Sequence, residues 1–221
     1  MPKRLVEHIK SIMPLEKPLE DFLLQNLEVR HYQQGEVLLK CGHKSDFICV
    51  VFKGLVQAFY INPKKVKVTS RFMKEKDLVA SLLSFIRQEP AEEEIVALEP
   101  VTVCGISYEK LYEMNKLHPE SNKLGYIFLE QYSMLAELSS LMLRSNSASH
   151  KYDLFCQYYE DLLGRVSQKQ IASFLGMTEE TFCRIRNSKH ITSDKFKMVT
   201  TKPIKKIIAP IQTHHNLEWV I

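Results

Sequence analysis

The N-terminal stretch "MPKRLVEHIKSIMPLEKPLEDFLLQNL" has no uninterrupted apolar run. Charges and prolines break it every few residues, so it supplies neither the apolar core of a signal peptide nor a membrane span. The expectation is a soluble cytoplasmic protein with no membrane partner. Paired cysteines are also missing. Cys41, Cys49, Cys104, Cys156 and Cys183 are odd in number and widely scattered, which fits neither a disulfide framework nor the ligand spacing of zinc or iron–sulfur sites. They are read as reduced thiols. The eight histidines form no His-x-His or His-Glu-x-x-His pattern, and the adjacent His214 and His215 lie in a tail, so no metal site is expected. There is no internal repeat and no low-complexity tract. The first 144 residues have no charge surplus, with 19 basic and 19 acidic side chains, whereas residues 145–221 carry 11 and 7. The net charge of +4 is therefore C-terminal, and it points to a polyanionic partner for that part of the chain.

What is present is enough for one large or two ordinary domains, with 45% hydrophobic residues in 221 to form a core. From Val29 to Met73 apolar and polar residues alternate in the short runs "EVLLK", "FICVVF", "LVQAFYI" and "KVKVTSRFM", with Gly35, Gly42, Gly54 and Asn62-Pro63 between them. Short, regularly spaced strands imply an antiparallel sandwich or roll. Two more runs, "IVALEP" and "VTVCGIS", follow a helical interval from Ser81 to Arg87, and a helical segment precedes the first strand.

Near Glu109 the period becomes helical, and Ser121 to Arg144 contains no proline and no glycine but Gly125. Steps of three and four through Ser121, Leu124, Phe128, Gln131, Leu135, Leu138 and Met142 form a coiled-coil-like seam. It serves either as a dimer seam or as the core face of a helix packed on its own β domain. Tyr126, Ile127, Leu129, Tyr132 and Leu141 give the helix a second apolar face, so both uses are open. The small polar run "RSNSASHKY", residues 144–152, marks a hinge.

Beyond the hinge, "VSQKQIASFLGMTEETFCRIRN", residues 166–187, divides into two short helices. Ser167 and Gln170 form a Ser-x-x-Gln capping box, with Ile171, Ala172 and Leu175 on one face. Gly176 permits a left-handed turn, Thr178 caps the second helix, and Glu179 and Glu180 complement its dipole. Phe182 and Ile185 turn inward, leaving Glu179, Glu180, Cys183, Arg184 and Asn187 outward. This is a helix-turn-helix pattern whose second helix presents the face that enters a major groove. Arg184 can donate twice to guanine and Glu180 can accept from cytosine. The competing reading is an inert helical hairpin on which Glu180 and Arg184 form a surface ion pair.

In this order of parts the sequence resembles the Crp/Fnr family of bacterial transcription regulators over residues 20–190. "QKQIASFLGMTEETFCRIR" is similar to the family's C-terminal signature, and "QGEVLLKCGHKSDFICVVFKGLVQAFY" to the first half of its sensor. The resemblance implies an α+β chain: an antiparallel β-roll of the cyclic-nucleotide-binding, jelly-roll type over residues 1–120, a dimerisation helix over 121–144, and a winged helix-turn-helix over 145–221. It also implies a homodimer, double-stranded DNA as ligand, RNA polymerase as a further partner and no enzymatic activity. Its base-contacting positions fall on Glu180 and Arg184, and its phosphate-contacting positions on Gln168, Thr178 and Thr181. Lys169, Glu179 and Arg186 complete the expected DNA-binding set, Glu179 standing where the family often has an arginine.

Members that bind cyclic nucleotides hold the phosphate and ribose with a Gly-Glu pair followed by an Arg and a Ser or Thr. An ungapped match places these on Ala80, Ser81, Ala91 and Glu92. The phosphate would then meet "PAEEE", residues 90–94, which offers carboxylates and no guanidinium, and this disfavours cyclic AMP as effector. There is no N-terminal cysteine cluster for an iron–sulfur sensor, and His43 or Cys104 is only a single candidate for haem. No cofactor is expected. In the tail Lys195, Lys197, Lys202, Lys205 and Lys206 can meet phosphates, and Pro203 and Pro210 forbid one continuous helix. Two rival functions remain: a ligand-responsive signalling or protein-interaction module without DNA binding, and a β-barrel metalloenzyme, for which the β region supplies only His31 and His43.

Overall fold

The computed structural model describes residues 1–192. The expected wing, the tail lysines and prolines, and the pair His214 and His215 lie outside the described residues. The helical N-terminal segment is two helices, α1 (Pro2–Ile12) and α2 (Lys17–Asn26). Pro14 stands between them, where its missing N–H and fixed φ oppose a continuous helix. Leu5, Val6 and Ile9 of α1 and Leu19 and Leu23 of α2 are buried.

Eight strands follow in two antiparallel four-stranded sheets. β1 (Glu28–Tyr32), β8 (Val101–Ser107), β3 (Phe47–Lys53) and β6 (Leu78–Val79) form the first, in that spatial order. β2 (Val37–Leu39), β7 (Glu94–Ala97), β4 (Val56–Ile61) and β5 (Lys67–Met73) form the second. Registers such as Val51 opposite Val103 and Val56 opposite Met73 place the inward side chains face to face. Cys49, Val51, Val56, Ala58, Met73, Ile95 and Val103 fill the space between the sheets. This is the expected jelly-roll-like β-roll. β8 lacks alternation because it is buried on both faces: Val101 and Val103 point into the roll, while Cys104 and Ile106 meet α1 and α2 outside it. The two-residue β6 carries too short a pattern to be seen in the sequence.

α3 (Leu82–Arg87) lies between β6 and β7, and α4 (Tyr108–Leu117) follows β8. α5 (Asn122–Arg144) is the long helix. Of its expected seam, Ser121, Leu124 and Met142 are buried, Phe128, Leu135 and Leu138 are half-buried against the same chain, and Gln131 is exposed. The open apolar face is the other one, with Tyr126, Leu129, Leu141 and Leu143 exposed. The hinge is shorter than its composition suggests. Only Ser145–Ser147 is irregular before α6 (Ala148–Tyr159), because the Ser147 hydroxyl accepts from the His150 N–H at 3.3 Å and starts the helix early.

Candidate functional site

The capping box between Ser167 and Gln170 is formed. The Ser167 hydroxyl accepts from the Gln170 N–H at 3.3 Å, and the Gln170 side-chain oxygen accepts from the Ser167 N–H at 3.1 Å. It opens α7 (Gln168–Phe174), and Gly176, at φ 64°, turns the chain through the left-handed region. The Thr178 hydroxyl then accepts from the Thr181 N–H at 3.2 Å and starts α8 (Glu179–Thr192). Ile171, Ala172, Phe174, Leu175 and Phe182 are buried, and Ile185 packs against the same cluster. The hairpin therefore stands as the pattern required, with Phe174 added to the core.

The expected contact residues separate into two groups. Lys169, Thr178, Glu179, Glu180 and Arg184 are exposed, as is Asn187. No ion pair joins Glu180 to Arg184 among the described residues, and both side chains are open to solvent. Gln168, Thr181, Cys183 and Arg186 are half-buried where the two helices cross. The Gln168 amide lies between the Cys183 sulfur and the Arg186 guanidinium, with its oxygen accepting from Arg186. Cys183 was expected to face outward. It is instead drawn inward against Gln168.

The first helix of the hairpin is docked on the roll, which the sequence did not reveal. The Ser173 hydroxyl accepts from the Thr69 N–H at 3.0 Å and reaches the Lys67 carbonyl at 3.4 Å, so α7 covers the edge strand β5. Gln170 donates to Gln57 at 3.0 Å, and Gln57 donates to Thr69 at 2.7 Å. Phe174 meets Phe72 of β5 at 5.4 Å between ring centroids, and also Phe155 and Tyr159 of α6. Arg165 closes the edge of this contact. It donates to both oxygens of Glu75 at 3.0 Å and to Glu99 at 2.5 Å, while Lys74 pairs with Asp161 at 2.6 Å. Burial tends to raise the Glu75 pKa, but bonds from Arg165 and from the Gly54 N–H outweigh it and bring it down to about 2. Asp77, half-buried beside this contact, is pushed up to about 6 by desolvation, against the Lys74 N–H that bonds it.

The interior of the roll holds a small cavity. The cavity between the sheets, lined by Tyr32, Phe47, Cys49, Val79, Ala80 and Ile95 among others, measures about 40 Å³, far below the ~300–1,000 Å³ of small-molecule sites. Ala80, Ser81 and Ala91 are buried and Glu92 is exposed. One expectation fails: a guanidinium is present. Arg71, from β5, reaches Glu93 at 2.5 Å, the Ala80 carbonyl at 3.2 Å and the Tyr132 hydroxyl of α5 at 3.0 Å. Glu93 also accepts from Ser70. The cation comes not from the "PAEEE" segment that holds Ala91 and Glu92 but from a neighbouring strand. An isolated arginine within the apolar run "TSRFM" was the available signal. Arg71 is thus committed to Glu93, and a second guanidinium, that of Arg30, lines the cavity between the sheets. Among the described residues no three His, Cys, Asp or Glu converge to hold a metal, and no helix is long and apolar enough to cross a membrane. His31 bonds Thr102 at 3.0 Å.

Residues 29–118 match the cyclic nucleotide-binding domain family. No curated protein matches the chain in sequence. Among solved structures, FixK2 from Bradyrhizobium japonicum superimposes with a TM-score of 0.67 at 15% identity, covering 78% of this chain and 89% of its own. CLP, a c-di-GMP responsive global regulator from Xanthomonas campestris, gives 0.63 at 16%, covering 80% and 93%. A protein from Eubacterium rectale assigned to the Crp/Fnr family of transcriptional regulators gives 0.65 at 14%, covering 80% and 84%. The fold, roll and hairpin together, is thus that of Crp/Fnr-type regulators.

Proposed function

We propose that this chain, with a roll of the cyclic nucleotide-binding domain family and the fold of Crp/Fnr-type regulators, is a homodimeric, sequence-specific DNA-binding transcription regulator. The observation that carries this reading is the exposed, unpaired Glu180 and Arg184 on one face of a capped second helix in a helix-turn-helix. Two such helices related by a two-fold axis read an inverted repeat with half-sites about 10 bp apart. Lys169, Thr178 and Glu179 stand beside them as phosphate and flanking contacts. Gln168, Thr181 and Arg186 form a second group: Gln168 and Arg186 brace one another at the helix crossing, and the Thr181 hydroxyl bonds that of Thr178. Residues 1–120 form the sensor, 121–144 the dimerisation helix and 145–221 the DNA reader. The exposed apolar face of α5, with Tyr126 and Leu141, supports association with a second copy. The small cavity within the roll supports insensitivity to cyclic AMP. A cytoplasmic site and contact with RNA polymerase follow from the function.

The test is DNA binding by variants on specific and random duplexes. Arg184→Ala is expected to cost ~1–3 kcal/mol on the selected inverted repeat and to relax one position in each half-site, and Lys169→Ala to weaken binding to all sequences alike. Equal losses on specific and random DNA for Arg184→Ala would remove the base-reading assignment.

A further inference from the structure

A second cavity lies outside the roll, on the outer face of the first sheet, and is much larger than the one inside it, at about 260 Å³. Ile48 and Ile106 form its floor, and Ile9 of α1, Phe85 of α3, Met114 of α4 and Phe128 of α5 form its walls. Among the described residues no charged side chain lines it. Its polar groups are neutral and lie at the junction of α4 and α5: Asn115, whose oxygen accepts from the Ser121 hydroxyl at 2.7 Å, and Asn122. The Tyr132 hydroxyl is already taken by Arg71. Ile86 and Leu129, both lining and both exposed, mark where the cavity meets solvent.

Gly125 argues that this space is kept open. It lies within α5 at the solvent-open mouth of the cavity, itself exposed one turn before Leu129, and a Cβ built on it meets no atom within 4 Å. Alanine would fit there and would favour the helix by about 1 kcal/mol. Glycine forgoes that stability and leaves the wall recessed.

We propose that this cavity is a binding site for a small neutral molecule with an apolar body and one uncharged polar end. An apolar cavity of about 150 Å³ holds a benzene ring, so this one holds a body of roughly ten non-hydrogen atoms. The polar end meets Asn115 and Asn122. A carboxylate or an amine is disfavoured because no charged side chain among the described residues lines the wall to bond it directly, and a buried charge without such a partner is costly. The assignment stands whether or not the chain reads DNA.

The probe is 1-nonanol, titrated calorimetrically into the full-length protein with nonanoate as the charged control. The expected result is saturable binding at one site per chain, with nonanoate weaker by at least about tenfold. Gly125→Leu, which fills the recess, should weaken 1-nonanol by at least about tenfold while leaving the melting temperature unchanged or higher. The Met114 methyl resonance locates the site independently of any variant: it should shift on binding while that of Met73, inside the roll, stays in place. Non-saturable uptake, an unmoved Met114 signal, or full binding by a folded Gly125→Leu protein would overturn the assignment. So would binding that falls as rising protein concentration drives association, because a second copy would then be filling the cavity.

Discussion

Asp77 and Glu75 lie two residues apart under the docked helix and respond oppositely to pH. Glu75 is held down to about 2 in the folded chain, so its stabilising contribution is present above its unfolded value of about 4.3 and is lost as pH falls toward 2. Asp77 is pushed up to about 6 by burial. In the window from its unfolded value of about 3.9 up to 6 the folded state binds more protons, so stability falls as pH rises through it. Asp77→Asn should remove that fall. Chemical denaturation at several pH values would show the variant gaining on the parent between about pH 4 and 6, and a constant difference would mean that Asp77 titrates normally. The capping residues Ser167, Gln170 and Thr178 were legible in the sequence because each acts within three positions of itself. Arg165 was not: its partners Glu99 and Glu75 lie 66 and 90 residues away, and no local pattern marks a surface arginine as one that grips two carboxylates.

At the scale of elements, α7 does two things that its short sequence shows only in part. Its apolar face, with Ile171, Ala172 and Phe174, is readable from spacing. Its polar side is harder to interpret, because Gln170 and Ser173 resemble solvent-facing residues until the edge of β5 is brought against them. Ser173→Ala should leave the buried Thr69 N–H without its acceptor and cost ~1–3 kcal/mol, measured by urea unfolding. A change within error would mean that water replaces the hydroxyl. α5 carries the same lesson. Its three-and-four spacing identified a helix with two apolar faces, but which one meets the roll depends on the position of the sheets. Leu124 and Met142 turned out to be on the inner side and Tyr126 and Leu141 on the outer.

At the scale of the whole molecule, one hydrophobic cluster crosses the boundary that composition suggests near residue 145. Leu55 and Phe72 of the roll lie in the same cluster as Met142, Phe155, Phe174 and Phe182. The roll and the hairpin are therefore expected to unfold together. Phe72→Ala should cost about 3–5 kcal/mol and lower a single thermal transition followed by near-ultraviolet and far-ultraviolet circular dichroism alike. Two separated transitions would mean that the shared cluster contributes little. The fold class was legible because strand and helix periods are local. The docking was not, since it depends on Phe72 and Phe174 meeting across about 100 residues of chain. On the proposed function, this docking turns the roll into a ruler. With α7 held along β5 and only Ser145–Ser147 between α5 and α6, a reader cannot swing on a tether to find its half-site. One inserted base pair rotates the second half-site by roughly 35° and moves it about 3.4 Å. The spacing that an operator may have is therefore set by the sheet that carries the hairpin, far from any residue that touches a base.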